Sequence, residues 1–422
     1  MLDIKFIREN KELISEAAKK KNISFNINNL LITDDKRKAL LGTIEKMRAE
    51  QNEVSFRLPQ LKDVGQKTEL LSQMKILKET LQKEEEKLKE VMKEWQSLML
   101  AVPNVPDVSV PDGKGEEDNV VVNKWGEETK FDFKIKNHTE LMLQHDMVDF
   151  ERGTKTHGFR GYFLKKDGAE LTWAIWNYAR EFYGKKSFFP FIAPAIVKKE
   201  HFYGTGHLPR ESEDIFKTQD EDYLSGTAEV PMMAYHSNEI LKASELPIRY
   251  MAFSPCYRRE IGSYSKDTKG LFRVHEFFKL EQLVICKADH AESVKFHEEI
   301  NRNFEEFLES LGLPYRRLLI CAGDLGQSKV KQYDTEVWFP SQNAYRELSS
   351  ASYYHDFQTR RFNIRYEEGG KKIITHSLNC TAVATPRILG AIVENYQQAD
   401  GSIKIPEVLR KYMGGKENIG GK

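Results

Sequence analysis

The sequence lacks the common glycine-loop signatures for phosphate binding. Neither GxGxxG nor GxxxxGK[ST] occurs in its 422 residues, so a nucleotide would have to be held some other way. HExxH is absent, and the four cysteines (Cys256, Cys286, Cys321 and Cys380) lie far apart without paired metal spacing. They read as ordinary reduced thiols, and a zinc site is not expected. Neither charge is in excess. With 64 basic residues against 64 acidic ones, no overall field advertises nucleic acid or a membrane surface. Long apolar runs are missing too: FFPFIAPAIV (188–197) is short and broken by prolines, which excludes it as a membrane span. The opening MLDIKFIREN carries charge from its third residue, so no signal peptide is expected and the chain reads as cytoplasmic.

What is present begins with periodicity. A short amphipathic helix (Ile4, Ile7, Leu13, Ile14, Ala17) leads through a polar connector to Thr33-Asp34-Asp35, which reads as a helix N-cap. Leu40, Ile44, Met47, Gln51, Val54, Leu58 and Leu61 then step by four and three. After Asp63-Val64-Gly65-Gln66 the series resumes through Leu70, Met74, Leu77, Leu81, Glu84, Leu88, Val91, Trp95 and Leu98. Heptads on both sides of a glycine-containing turn predict an antiparallel coiled-coil hairpin over about 36–99, with Leu61 facing Leu70 and Val54 facing Leu77. Each helix spans on the order of 40 Å. Pro59 is expected to kink or open the first one near its tip. So thin an arm has only a seam to bury and should project into solvent, either to dimerise or to reach a large partner. Residues 1–102 thus form one unit.

Composition changes after Ala101, where AVPNVPDVSVPDGKGEEDN predicts a linker over 103–119. From 120 to about 412 strand-like alternation mixes with long helices (169–183 and 290–311) without a βαβ cadence. That favours an α+β fold on an antiparallel sheet. The end, 413–422, reads as a flexible tail.

Four stretches of this second unit could carry chemistry. Tyr250–Tyr257 predicts a strand, Arg258–Lys269 a charged loop, and Leu271, Arg273, His275, Phe277, Lys279 and Glu281 an alternating return strand. On such a hairpin Arg258 could fork onto a phosphate, Phe277 could stack on a base, and Glu260 and Glu281 could hold an amine. A charged surface hairpin explains the same residues. Thr227-Ala228-Glu229 puts a hydroxyl and a carboxylate two apart at a strand-to-helix junction, which taken alone reads first as a helix cap. In Glu347-Leu348-Ser349-Ser350, Glu347 and Ser350 are hard oxygen donors suited to Mg²⁺ between phosphates, or simply a strand-edge pair. His376-Ser377-Leu378-Asn379-Cys380-Thr381 runs through Pro386-Arg387 into a helix, a place for a second phosphate clamp.

In order and spacing these elements resemble the bacterial-type seryl-tRNA synthetases, a class II aminoacyl-tRNA synthetase family. The resemblance covers the hairpin at 36–99, Tyr203-Gly204-Thr205-Gly206-His207-Leu208-Pro209, and all three class II motifs. Motif 1 runs through Phe191-Ile192-Ala193-Pro194, motif 2 is Arg258–Glu281, and motif 3 ends in Arg387. The resemblance implies a sheet of six to seven antiparallel strands with flanking helices, a homodimer, and a tRNA-binding arm. It further implies serine held by Thr227, Ala228, Glu229, Glu281, Asn379 and Thr381. ATP would be held by Arg258 at the α-phosphate, Arg259, Glu260 at the adenine edge, Val274 through its backbone and Phe277 by stacking. Glu347, Leu348, Ser349, Ser350 and Arg387 complete that set, with Mg²⁺ on Glu347 and Ser350. The catalytic residues would be Arg258, Glu347 and Arg387.

The implied reaction joins L-serine to ATP as seryl-adenylate and then charges the 3′ end of tRNA(Ser), with tRNA(Sec) a further candidate acceptor. The chain departs from the family's pattern in one run. Where many relatives have Asn-Cys-Thr before Asp-Phe-Gln-x-Arg-Arg, it has Tyr353-Tyr354-His355. The cysteine pattern does not resemble the zinc-dependent form of the family. Two other readings stay open: a synthetase-like paralogue that charges a non-tRNA acceptor, and a non-catalytic coiled-coil RNA-binding protein.

Overall fold

A computed structural model describes every residue except 210–211, 262–269 and 421–422. Two compact units divide at Pro103/Asn104. In the first, helices α1 (Ile4–Glu9) and α2 (Lys11–Lys20) precede the long pair α3 (Ile27–Arg57) and α4 (Val64–Ala101). At 1.5 Å per residue these two run to roughly 45 and 55 Å. The cap lies earlier than predicted. Asn26, not Thr33-Asp34-Asp35, accepts the first amides of α3. Asp34 is instead fully buried within the helix and takes Arg8 Nε at 2.8 Å, Arg37 Nη2 at 2.7 Å and Lys38 Nζ at 3.1 Å. Burial alone would raise its carboxyl pKa, but those cations hold it below the usual range. A charged side chain at a helix-packing position therefore hid the true start of the helix.

Arg37 stacking on Trp95 and Arg48 pairing with Glu85 confirm the antiparallel register. Most of the heptad side chains are only half-buried, as two helices alone permit. Pro59 does not kink α3: the helix ends at Arg57, and the proline starts a single 3₁₀ turn, Leu58–Gln60. There its missing N–H leaves no gap in a helical ladder.

The second unit is built on one large sheet. Its strands are β1 (Val120–Trp125), β2 (Phe189–Ile192), β3 (Ile248–Tyr257), β4 (Glu276–Cys286), β5 (Tyr315–Leu319), β6 (Lys331–Phe339), β7 (Ala344–Tyr353) and β8 (His376–Ala384). They lie in the order β1-β5-β6-β7-β8-β4-β3-β2. The sheet thus has eight strands rather than six or seven, and β2 pairs parallel with β3 at one edge while the other neighbours run antiparallel. Helix α5 (Asp167–Gly184) turns Leu171, Ala174, Ile175, Ala179 and Tyr183 into the core, the spacing of one helical face. Helix α6 (Glu229–Tyr235) follows a two-residue strand, and α7 (His290–Ser310) is capped by Asp289 and packs Phe296, Ile300, Phe304 and Phe307 inward. Helices α8 (Phe357–Phe362) and α9 (Arg387–Asn395) flank β8.

Three further expectations change. The predicted linker is not free: Asp107 N–H donates to Val330 O, Ala322 N–H to Pro111 O, and the Asn104 amide to Ser328 O and Tyr354 O. The return strand starts at Glu276, so Leu271, Arg273 and His275 precede it. Its apparent alternation arose because buried Leu271 and Phe272 pack from a loop. The predicted loop residues 262–269 lie outside the described residues. The tail expected to be flexible is anchored, since Asn418–Ile419 pairs with Ile403–Lys404 and buries Ile419.

His297 on α7 ties that helix to the sheet. Its ring stacks on Tyr333 at 4.8 Å, and Nε2 lies 3.0 Å from the Ala351 carbonyl oxygen. Burial pushes its pKa down to about 4, so the folded chain keeps it neutral, whereas the unfolded chain binds a proton below about 6.5. Its contribution is complete above about 6.5 and lost as pH falls toward 4. The urea midpoint should drop over that window and drop less steeply in His297→Gln. His376 shifts the same way through burial and keeps part of the slope. Equal slopes in the two proteins would contradict this account.

Candidate active site

Where β3, β4, β8 and β7 lie side by side, the sheet carries a cavity of about 660 Å³. Most of the residues singled out from the sequence line it: Thr227, Glu229, Arg258, Glu260, Val274, Phe277, Glu281, Glu347, Leu348, Ser350, Asn379, Thr381 and Arg387. The side chains of three do not. Ala228 is buried among Ala193, Met232, Ala252 and Leu283. Arg259 is exposed and donates to Glu213 O. Ser349 points to the opposite face of β7 and donates to Thr381 O at 2.7 Å. Strand alternation explains the last case, because Ser350 faces the cavity and its neighbour cannot.

One end of the cavity is closed and polar. Lys279, two residues before Glu281 on β4, forms an ion pair with it and donates to Thr227 Oγ1 at 2.7 Å. Thr227 Oγ1 in turn lies 3.4 Å from Glu281 Oε2 and accepts the Glu229 N–H at 3.2 Å, although the N-cap position of α6 is Ala228. Burial raises the Glu281 pKa, and the Lys279 ammonium opposes that rise. Glu229 has each carboxylate oxygen engaged, by Gln358 Nε2 at 2.6 Å and by Asn379 Nδ2 at 2.8 Å.

The other end is open and lined with cations. Arg258 lies 5.4 Å over the Phe277 ring and donates to Gly226 O at 3.2 Å. A Cβ at Gly226 would sit 3.1 Å from Arg258 Cγ and Nε, so a larger residue there would press on the Arg258 side chain. Arg387 leads α9 and donates to Phe272 O and Glu347 O, with Glu347 Oε2 at 3.6 Å. Its burial lowers the pKa, and Glu347 partly restores it. Glu260 holds a left-handed backbone (φ +55°) and accepts Arg273 Nη1 at 2.9 Å. Cross-strand pairing brings Asp334 of β6 opposite Ser350. Burial, then the charge of Glu347, push the Asp334 carboxyl up to about 7.

Residues 214–396 match the model of the tRNA synthetase class II core domain (G, H, P, S and T), and residues 1–106 match that of the seryl-tRNA synthetase N-terminal domain. A serine–tRNA ligase from Deinococcus radiodurans is 42% identical over 422 residues, covering 100% of this chain and 99% of that protein. One from Caldicellulosiruptor saccharolyticus is 44% identical over 417 residues, covering 98% of this chain and 99% of its own. The chain belongs to the serine–tRNA ligase family. Among solved structures, seryl-tRNA synthetase from Pyrococcus horikoshii complexed with ATP superposes with a TM-score of 0.89 at 36% identity over 99% of both chains. The cytoplasmic serine–tRNA ligase from Naegleria fowleri in complex with AMP gives 0.87 at 34% identity, over 100% of this chain and 99% of that one.

Within this family frame, Lys279, Asp334, Gln358, Arg273 and Tyr354 are the site residues that sequence reasoning missed. Lys279 was within reach, because two-residue spacing on a strand puts it on the same face as Glu281. Asp334 needed the register of β6 against β7. Breaking one half of a buried ion pair typically costs about 3 kcal/mol or more, while removing both charges costs far less. Lys279→Met should therefore lower the free energy of urea unfolding by about that amount. The double variant Lys279→Met/Glu281→Gln should recover most of the loss. Identical stability of Lys279→Met and wild type would show that water, not Lys279, solvates Glu281.

Proposed function

We propose that the chain activates L-serine with ATP to give seryl-adenylate and pyrophosphate, then passes the seryl group to the 3′ end of tRNA(Ser). The observation that carries this reading is convergence: Arg258 and Glu281 from one hairpin, Glu347 from β7 and Arg387 from the start of α9 line one cavity. Serine enters the closed end with its ammonium toward Glu281 and its hydroxyl among Asn379, Thr381 and Glu229. Its carboxylate then faces the open end, where ATP lies with the adenine against Phe277 and Glu260, the α-phosphate at Arg258 and the γ-phosphate at Arg387. Attack of that carboxylate on the α-phosphate needs no covalent protein nucleophile. The charge that builds on the pentavalent phosphate is met by preset guanidinium groups. The four cysteines are buried thiols and take no part.

The same reading places Mg²⁺ on Glu347 and Ser350. Among the described residues no group of three His, Cys, Asp or Glu is arranged to hold a metal. That suits an ion completed by phosphate oxygens, since Mg²⁺ is commonly bound through one or two carboxylates plus substrate phosphates. Burial first, then the charge of Glu347, raises the Asp334 carboxyl pKa, and a cation on Glu347 would offset the second of these. When bound, the ion would supply charge neutralisation between phosphates.

The arm of α3 and α4 is read as the tRNA-binding element, on the strength of the N-terminal family match. A homodimer is supported by exposed apolar side chains at Trp173, Phe189, Ile192 and Ile196, around the predicted motif 1. Among the described residues no helix is long and apolar enough to cross a membrane. A cytoplasmic location follows from the proposed role in translation.

ATP–pyrophosphate exchange across the twenty amino acids should respond to serine. Arg258→Ala should lower that exchange by about 10²-fold or more with the fold retained. Near-normal exchange in the variant would remove Arg258 from the reaction. Deleting residues 40–95 should leave exchange intact and abolish charging of tRNA, and a truncated enzyme that still charges tRNA would remove the arm from its assigned role.

A further inference from the structure

The run Tyr353-Tyr354-His355 ends β7 beside the closed end of the cavity, and Tyr354 lines that end. Its side chain is 3% exposed, and its hydroxyl donates to Asn379 Oδ1 at 3.1 Å. Burial raises the phenol pKa well above the usual value, so it remains a donor. Its backbone is held on both sides. The Tyr354 N–H donates to Ser377 O, and its carbonyl accepts the Asn104 amide at 2.8 Å and the Phe357 N–H at 3.2 Å. With its backbone held, its side chain buried and its hydroxyl bonded to Asn379, the ring forms a packed wall of that end.

The hydroxyl and Glu229 together fix which way Asn379 faces. With Oδ1 engaged by the phenol, the amide must present Nδ2 to Glu229, as the 2.8 Å contact shows. Glu229 is held from its other side by Gln358, whose carbonyl oxygen accepts Ser377 Oγ at 3.0 Å. Tyr354, Asn379, Glu229, Gln358 and Ser377 thus form one connected chain of hydrogen bonds, with Gln358 Nε2 also donating to Thr205 O at 3.2 Å. Removing the first hydroxyl leaves Asn379 Oδ1 without its donor, so the side chain is held from the Glu229 side alone.

From this geometry we propose that Tyr354 sets amino-acid specificity in the activation step, by closing the serine subsite against a β-methyl group and by orienting Asn379. The proposal rests on the serine-activation reading above. In that reading the serine carboxylate faces Arg258 at the open end, so the Cβ substituents face the end that Tyr354 closes. A site with polar partners for a hydroxyl readily rejects alanine, but threonine offers the same hydroxyl with one more methyl. Only volume can reject threonine, and discrimination by one methyl group is typically about 10- to 200-fold. A rigid phenol ring at the end of the subsite supplies that volume. It acts on Asn379 as a positioning residue.

The test is ATP–pyrophosphate exchange with serine and with threonine for the full-length wild type, Tyr354→Phe and Tyr354→Ala. Tyr354→Ala should raise the threonine-to-serine ratio of kcat/KM by about 10-fold or more. Tyr354→Phe keeps the wall and should hold that ratio within about threefold of wild type. Because Asn379 Oδ1 then lacks its donor and Asn379 is held on one side only, the KM of Tyr354→Phe for serine should rise about 5- to 20-fold with a smaller change in kcat. A purely structural residue would not separate the two variants in this way. Should Tyr354→Ala fail to fold, Tyr354→Leu, which shortens the wall but stays apolar, should raise the ratio in the same direction. An unchanged ratio in a folded Ala or Leu variant, with normal serine exchange in wild type, overturns the wall alone. A serine KM unchanged in Tyr354→Phe overturns the positioning role. Absence of serine-dependent exchange in wild type overturns the activation reading itself.

Discussion

Two carboxylates, Glu229 and Glu281, lie inside the cleft at the closed end of the sheet, and the rest of the site is arranged around the cost of putting them there. An isolated buried carboxylate is strongly disfavoured and would protonate. Glu281 remains useful because Lys279 stands two residues away on the same strand face, and Glu229 because two amides donate to it. A third polar group could enter such an end only by fitting the hydrogen-bonding positions still open. That is a physical definition of a small, polar, amine-bearing substrate.

The open end follows the opposite rule. Arg258, Arg273 and Arg387 stand there among Glu260, Glu347 and Asp334, and their guanidinium groups are held by backbone carbonyls or by Glu260 and Glu347. Groups held this way need little reorganisation when negative charge develops between them. The cleft thus sets buried carboxylates at one end and three guanidinium groups at the other, an arrangement that suits an amino acid laid against a polyphosphate.

Much of this was legible before the fold was known, for reasons that differ by element. The pair of long helices was readable because a heptad spacing repeats on both sides of one turn. Asp34 shows the limit of that approach, since a buried charge inside α3 reads as a cap until Arg8, Arg37 and Lys38 are seen around it. Within the site, Arg258, Glu281, Glu347 and Arg387 were found through the order and spacing of their motifs. Ser349 and Arg259, one residue away from true lining positions, show that a motif is coarser than a strand face. The predicted flexible tail failed for a related reason: GGKENIGGK looks solvated, yet a single Ile419 is enough to anchor it.

The sequence alone determined the helical hairpin, the mixed second unit and the order of the three motifs, because periodicity and spacing are properties of neighbours along the chain. Only the tertiary structure decided which side chains meet. Asp334 opposite Ser350, Gln358 on Glu229 and Tyr354 on Asn379 depend on strand register and on helices closing over strand ends. Contacts between segments far apart in sequence carry no local signature, so the cleft's chemistry became visible only once the sheet was assembled.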